Sequence, residues 1–342
     1  MSTTSVNIGV IGAGRIGRVH AEHLATRIPA ARLAAVADIN PTAAAELAAR
    51  LGVPAYTDPR YLFDDPDITA VAICSNTDTH ARLIMEAAQA GKHIFCEKPI
   101  DLDLARIDEA LRAVAAAGVK LMVGFNRRFD PSFRKARELV ANGAIGTVHV
   151  LRITSRDPAP PPLAYVRVSG GLFLDMTIHD FDMARYLGGE VEEVFAAGGV
   201  LVDPAIGAAG DIDTAIVLLR LQSGALGAID NSRRAVYGYD QRVEVFGSDG
   251  MVAVGNRTAD SHVLSDARGV HSALPLYFFM ERYTESFLAE MVAFVDCLRE
   301  DKPPPVSGQD GRQAVVIALA AQQSLREQRP VRVAEITAGD PP

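Results

Sequence analysis

The chain has 342 residues, of which 49% are hydrophobic and 22% charged, and 42 Asp plus Glu against 34 Lys plus Arg leave a net charge of −8. This is the composition of a folded globular protein of about two domains, and it lacks the basic surface that nucleic-acid binding requires. No run approaches the ~18 apolar residues of a membrane span, and residues 1–6 lack the basic-then-apolar order of a signal peptide.

The first third alternates strand-like and helical runs. Strands are predicted over 7–11, 33–37, 70–74, 93–96 and 120–123, with helices over 15–25, 41–51, 79–90 and 104–117. Strands that are apolar throughout and separated by helices of this size require a parallel sheet covered on both faces. Gly52, Gly91 and Gly118 follow helical segments where C-terminal caps belong. Cys74 and Cys96 end apolar runs; with Cys297 they are too few for a disulfide framework or a zinc site, which points to a reducing, cytoplasmic setting.

After Gly124 the texture changes. A helix over 132–141 leads to a strand over 148–155 and a proline-rich loop over 157–162, then a helix over 171–187. Strands over 191–200, 214–221, 226–232, 241–246 and 251–255 follow, divided late by short turn signals that imply antiparallel pairing. Helices over 282–299 and 308–328 close the chain. The expected class is α/β: a doubly wound Rossmann domain over 1–124 and an α+β domain with a mainly antiparallel open sheet over 125–342.

Gly12-Ala13-Gly14-Arg15-Ile16-Gly17 joins the first strand to the first helix. Glycines at Gly12, Gly14 and Gly17 permit a tight turn, approach of the backbone to a pyrophosphate, and close helix packing, while the helix N-terminus and Arg15 favour an anion. Asp38 ends the second strand, where an acid accepts hydrogen bonds from ribose hydroxyls and repels an extra phosphate, so NAD is the expected cofactor. Its alternative role is to cap the helix that opens at Pro41. The polar loop after the 70–74 strand adds Ser75, Asn76 and His80 as candidate cofactor contacts.

Glu97-Lys98-Pro99 ends a buried strand at the edge where ligands sit. Asp175 and His179 lie four apart on a helix and share a face, so the carboxylate can orient the imidazole. A neutral His179 is then suited to remove a hydroxyl proton, and Lys98 to stabilise the alkoxide that develops. A satisfied structural Asp–His pair is the competing reading. No metal is expected: Asp175, His179, Asp180 and Asp182 cannot all face one ion from one helix, and His20 and His23 lie on a helix that must pack against the sheet.

The segments 12–17, 97–99 and 175–179, with the longer matches LMVGFNRRFD, TSRDP, DMTIHDFDMARY and NSRRAVYGYDQRVEVFGSDG, resemble the Gfo/Idh/MocA oxidoreductases, in particular the rhizobial type of inositol 2-dehydrogenase. The resemblance covers most of the chain. It implies NAD-dependent oxidation of one ring hydroxyl of myo-inositol to a ketone, with Lys98, Asp175 and His179 as the catalytic triad. Glu97, whose strand end lies beside the cofactor cleft, is a further candidate cofactor contact, and the resemblance also implies Arg127, Asp157 and Tyr239 on the substrate side and a homotetramer. Asp157 stands where some relatives carry asparagine, which bears on stereochemical preference. Two other readings are a dehydrogenase for another polyol or aldose and a non-catalytic NAD-binding regulator.

Overall fold

A computed structural model describes residues 5–338. In chain order the elements are β1 (Val6–Ile11), α1 (Arg15–Thr26), β2 (Ala31–Ala37), α2 (Pro41–Leu51), β3 (Ala55–Tyr56), α3 (Arg60–Phe63), β4 (Ala70–Ile73), α4 (Thr77–Gln89), β5 (His93–Glu97), α5 (Leu104–Ala117) and β6 (Leu121–Gly124). Then follow α6 (Pro131–Ala141), β7 (Val148–Arg156), α7 (Leu163–Val166), a π-turn (Phe173–Thr177), α8 (Ile178–Gly188), β8 (Val191–Gly199), α9 (Pro204–Ala208), β9 (Thr214–Leu221), β10 (Leu226–Ser232), β11 (Asp240–Gly247) and β12 (Met251–Val254). The hairpin β13 (Val263–Asp266) and β14 (Gly269–Ser272), α10 (Phe279–Arg282), α11 (Thr284–Arg299), α12 (Gly308–Glu327) and β15 (Val331–Arg332) complete the chain.

Two compact units result. Among the described residues the first comprises 5–129, Glu285–Val315 and Ala338, the second Asp130–Thr284 and Val316–Thr337. The sequence reading places everything after Gly124 in one C-terminal domain, whereas by contact α11 and the start of α12 group with the first unit. The reason is packing: the Phe294 ring of α11 lies 5.9 Å from that of Phe95 in β5, and both are fully buried. Each such side chain contributes about 1.5–3 kcal/mol on burial.

The first unit holds a six-stranded sheet in the order β3-β2-β1-β4-β5-β6, parallel throughout. Every residue of β4 and all but one of β1 are buried, as expected for strands covered on both faces. The strand order reverses between β1 and β4, and a crevice for ligands opens outside the carboxyl ends of these strands.

The second unit holds a seven-stranded sheet in the order β12-β11-β7-β10-β9-β8-β15, antiparallel except for the β7–β10 pair. Along β9, Ala215, Val217, Leu219 and Leu221 are buried while Ile216, Leu218 and Arg220 face out, so one face is packed and the other is open. The sequence does not foreshadow β3, β15 or the β13–β14 hairpin. The first two are only two residues long, and every residue of the hairpin strands is exposed, so no apolar alternation marks it. Among the described residues no helix is long and apolar enough to cross a membrane.

One buried ion pair holds the second unit's entry helix. Asp130 caps α6 by accepting from the Ser132 and Phe133 N–H groups, and also accepts from Arg282 Nη1 at 2.5 Å. The guanidinium lies over the Phe133 and Tyr283 rings at 5.5 and 4.7 Å. Both ionic side chains are buried, and removing one partner of such a pair costs about 3–5 kcal/mol. Asp130→Ala is expected to lower the unfolding free energy by about that amount in urea titrations; a loss well under 1 kcal/mol would show that Arg282 is satisfied without it.

Candidate active site

In the first unit, the turn after β1 is built to admit an anion. Gly12 adopts φ of +103°, and a Cβ there would lie 2.5 Å from the Cys74 carbonyl oxygen that follows β4. A Cβ at Gly17 would meet the Gly12 carbonyl at 1.8 Å, so α1 packs against the turn only because both residues are glycine. Gly14 is the N-cap of α1 and makes no side-chain cap, and no atom lies within 4 Å of where its Cβ would stand. The first-turn N–H groups of α1 are thus available to a phosphate, with exposed Arg15 beside them and Ile16 half-buried.

Asp38 Oδ2 accepts from the Ala13 N–H at 2.6 Å and Oδ1 from the Asn40 N–H at 2.8 Å. It does not cap α2; Asn40 does, by accepting from Thr42 and Ala43. The Asp38 carboxylate instead lines a cleft of about 270 Å³ together with Gly12, Gly14, Ser75, Asn76 and Thr79. Ser75 and Thr79 share a hydroxyl hydrogen bond of 2.6 Å. The glycine cradle, the open helix end and the acid at the second strand fit an adenine dinucleotide without a 2′-phosphate.

Two expected contacts have other roles. His80 is buried, and its ring nitrogens face the carbonyls of Pro99 (2.8 Å) and Ser75 (3.0 Å), so it braces two loops. Glu97 turns its carboxylate inward: Oε1 lies 2.9 Å from His20 Nε2, and Oε2 would be 3.1 Å from a Cβ at Gly124. The next residue, Lys98, is half-buried at the carboxyl end of β5, in a cis peptide with Pro99. Arg127 is buried in the 3-10 turn Asn126–Phe129 just beyond β6.

In the second unit, the segment expected to be a plain helix begins as the π-turn Phe173–Thr177 before α8. Such turns, bonded i→i+5, recur at functional sites. The turn is tied to the sheet from below: Thr177 Oγ1 donates to Asn231 Oδ1 (2.7 Å), and Asn231 Nδ2 donates to Asp180 Oδ2 (2.8 Å) and the Ser155 carbonyl (3.2 Å). All four residues are buried.

Asp175, on this turn, accepts from Tyr165 Oη at Oδ1 (2.8 Å) and from Arg233 Nη2 at Oδ2 (2.9 Å). Arg233 Nη1 donates to Asp157 Oδ2 at 3.1 Å, so one guanidinium holds both acids that the sequence singles out. Burial opposes the charge on Arg233, but Asp175 and Asp157 outweigh it and hold the group above its ordinary value. Burial pushes the nearby Asp211 carboxyl up, although it accepts from the Leu172 N–H at 3.0 Å. His179 is half-buried on the first turn of α8. Tyr239 is largely buried, its ring edge-on to Tyr283 at 6.0 Å.

Arg233 and Tyr165 are functional candidates that the sequence reading misses. The only signal was a pair of adjacent arginines at the end of a strand, where alternation sends one inward.

A nucleotide-binding α/β unit followed by a unit that carries a charged cluster is the build of an NAD-dependent oxidoreductase. Residues 6–125 match the family model described as "Oxidoreductase family, NAD-binding Rossmann fold", and residues 133–253 match the "GFO/IDH/MocA C-terminal domain". The chain belongs to the Gfo/Idh/MocA oxidoreductase family. It is 55% identical to the myo-inositol 2-dehydrogenase of Thermotoga maritima over 97% of this chain and 99% of that one. It is 48% identical to the inositol 2-dehydrogenase of Rhizobium meliloti over 96% of this chain and all of that one. Among solved structures, scyllo-inositol dehydrogenase from Lactobacillus casei with bound NAD(H) and scyllo-inositol matches at 33% identity and a TM-score of 0.91, covering 97% of this chain and all of that one.

Proposed function

We propose that this enzyme oxidises one ring hydroxyl of myo-inositol to the ketone. The observation that carries this reading is the Asp157–Arg233–Asp175 cluster with Tyr165: fixed acceptors and donors that suit a polyol, in a chain whose relatives are named for inositol oxidation. NAD, when bound, supplies the hydride acceptor. The α1 N-terminus receives its phosphates, Asp38 its adenosine ribose, and Ser75 and Asn76 line the same cleft. His179 takes the hydroxyl proton, Asp175 orients His179, and Lys98 stabilises the oxygen as negative charge builds there. Arg127, Asp157 and Tyr239 complete the polar lining for the remaining hydroxyls. Hydrogen-bonding sites of this kind discriminate strongly against analogues that lack a hydroxyl.

The test is initial-rate NADH formation with NAD or NADP against myo-inositol, scyllo-inositol, chiro-inositol and D-glucose. The reading expects NAD with myo-inositol to lead. A lead for scyllo-inositol, the substrate named for the Lactobacillus relative, would keep the chemistry and change the epimer; no turnover on any would leave a nucleotide-binding regulator. The cofactor half is tested apart: Asp38→Ser removes a charged acceptor, so the preference for NAD over NADP is expected to fall about 10–100-fold. An unchanged ratio would assign Asp38 to the Ala13 and Asn40 N–H groups alone.

The enzyme is further proposed to be a homotetramer assembled through the open sheet face. In register across it lie Met251, Phe246, Val150 and Leu226, with Ile216 and Leu218 on the same face of β9, and all but Val150 are about half exposed. Contiguous apolar surface of this kind marks an interface. The three free cysteines suit a reducing compartment, which supports a cytoplasmic setting.

A further inference from the structure

We propose that Glu290 is a positioning residue that keeps its carboxyl proton and shares it with Glu97, fixing the strand end that presents Lys98. Three elements of the first unit meet here: His20 on α1, Glu97 at the end of β5, and Glu290 on α11. Their ligating atoms lie within 4.8 Å of one another. His20 and Glu290 have no exposed side-chain surface, and Glu97 is 14% exposed. The Nε2 atom of His20 is 2.9 Å from Glu97 Oε1 but 3.8 Å from Glu290 Oε1, so its hydrogen-bond partner is Glu97.

Among the described residues no group donates to either oxygen of Glu290. As an anion it would lie buried beside a second carboxylate without donor or cation, a cost large enough that such groups neutralise instead. The other ionisable groups facing it are Glu97, His20 and the Cys74 thiol, and none of them is a fixed cation. Burial, and then the Glu97 charge, push the Glu290 carboxyl well above the usual carboxylate range. Once protonated, Glu290 becomes a donor, and the carboxylate that faces it within 4.8 Å is that of Glu97. His20 lies one turn beyond Gly17, so its contact with Glu97 ties the phosphate-binding helix to the Glu97-Lys98 strand end, and the Glu290 proton ties α11 to that same carboxylate.

Two variants separate this role from simple packing. Glu290→Gln keeps a neutral donor and is expected to retain kcat within about threefold. Glu290→Met keeps the bulk without the donor and is expected to lower kcat about tenfold with the Kd for NAD unchanged. This arm rests on the reading that Lys98 serves polyol oxidation; the second arm does not. In the unfolded chain Glu290 ionises near 4.5, while in the folded protein it stays protonated well above that. The folded form therefore binds the extra proton, and wild-type stability falls as pH rises past about 5. The Glu290→Gln variant lacks that loss, so its Tm is expected to match wild type near pH 4.5 and exceed it increasingly toward pH 9.

A flat Tm difference, with Glu290→Gln as damaging as Glu290→Met, would overturn the proposal. So would a stoichiometric metal ion in the purified protein that Glu290→Gln abolishes. Absence of inositol turnover in wild type would remove the function proposed above but leave the Tm comparison to judge the Glu290 proton.

Discussion

Replacing His179 by alanine is expected to lower kcat for polyol oxidation by about 10²–10⁴-fold, the usual contribution of a positioned general base, while the Kd for NAD stays unchanged. The separation follows from the construction of the enzyme. The nucleotide cleft is lined wholly by residues of the first unit between Ile11 and Leu83, and His179 stands on α8 of the second. The base must be neutral to accept a proton, so wild-type kcat is expected to fall as pH drops through the His179 pKa in the complex. The alanine variant is expected to lose that acid limb along with its rate. Lys98→Met is expected to cost about 10²–10³-fold by removing a donor to the developing alkoxide, and to leave the acid limb in place. If the limb survives in His179→Ala and vanishes in Lys98→Met, the two roles are exchanged. Near-normal turnover in either variant removes that residue from the chemistry.

What could be read from the sequence follows the range of the interactions involved. The parallel sheet was legible because β1 and β4 are apolar in nearly every residue and the helices between strands have strong periodicity. The phosphate turn was legible because Gly12, Gly14 and Gly17 fall within one strand–turn–helix segment, although the close approach that demands Gly12 comes from Cys74, far along the chain. His80 and Glu97 were placed at the right sheet edge, but the sequence did not show which way their side chains turn. That direction depends on Pro99 for His80, and on His20 for Glu97, 77 residues away. The buried Glu290 was invisible for the same reason: on its own helix it is one acid in an amphipathic segment, and only packing deprives it of donors. The π-turn is equally hidden, since Asp175 and His179 share a face in either kind of helix. Its end is tied down by the bond between Thr177 and Asn231, which are 54 residues apart.

Arg233 is where tertiary structure adds most to the site, and its removal is expected to have the second large effect. Its partners stand 76 and 58 residues away in sequence, at Asp157 and Asp175, and its own side chain is 4% exposed. Arg233→Leu leaves two carboxylates facing each other at 18% and 12% exposure with their shared cation gone. Breaking a buried pair costs about 3–5 kcal/mol; the partial exposure of both acids lowers the expectation here to about 2–4 kcal/mol. Without the cation each carboxylate raises the pKa of the other, so the folded variant takes up a proton that the unfolded chain does not hold. Its stability deficit is therefore expected to shrink as pH falls from 8 toward 5. Adding Asp157→Asn removes the repulsion by another route, and the double variant is expected to recover more than 1 kcal/mol relative to the sum of the singles. Activity then separates the two services of the guanidinium. If Arg233 only neutralises charge, the double variant regains kcat/KM along with stability. If it also aims Asp175 at His179, stability returns while kcat stays low, and Arg233→Lys, which keeps the charge but lacks the planar fork, shows the same split. Additivity of Arg233→Leu and Asp157→Asn within about 0.5 kcal/mol would mean that the two side chains are energetically independent, and that Asp157 is held by something other than Arg233.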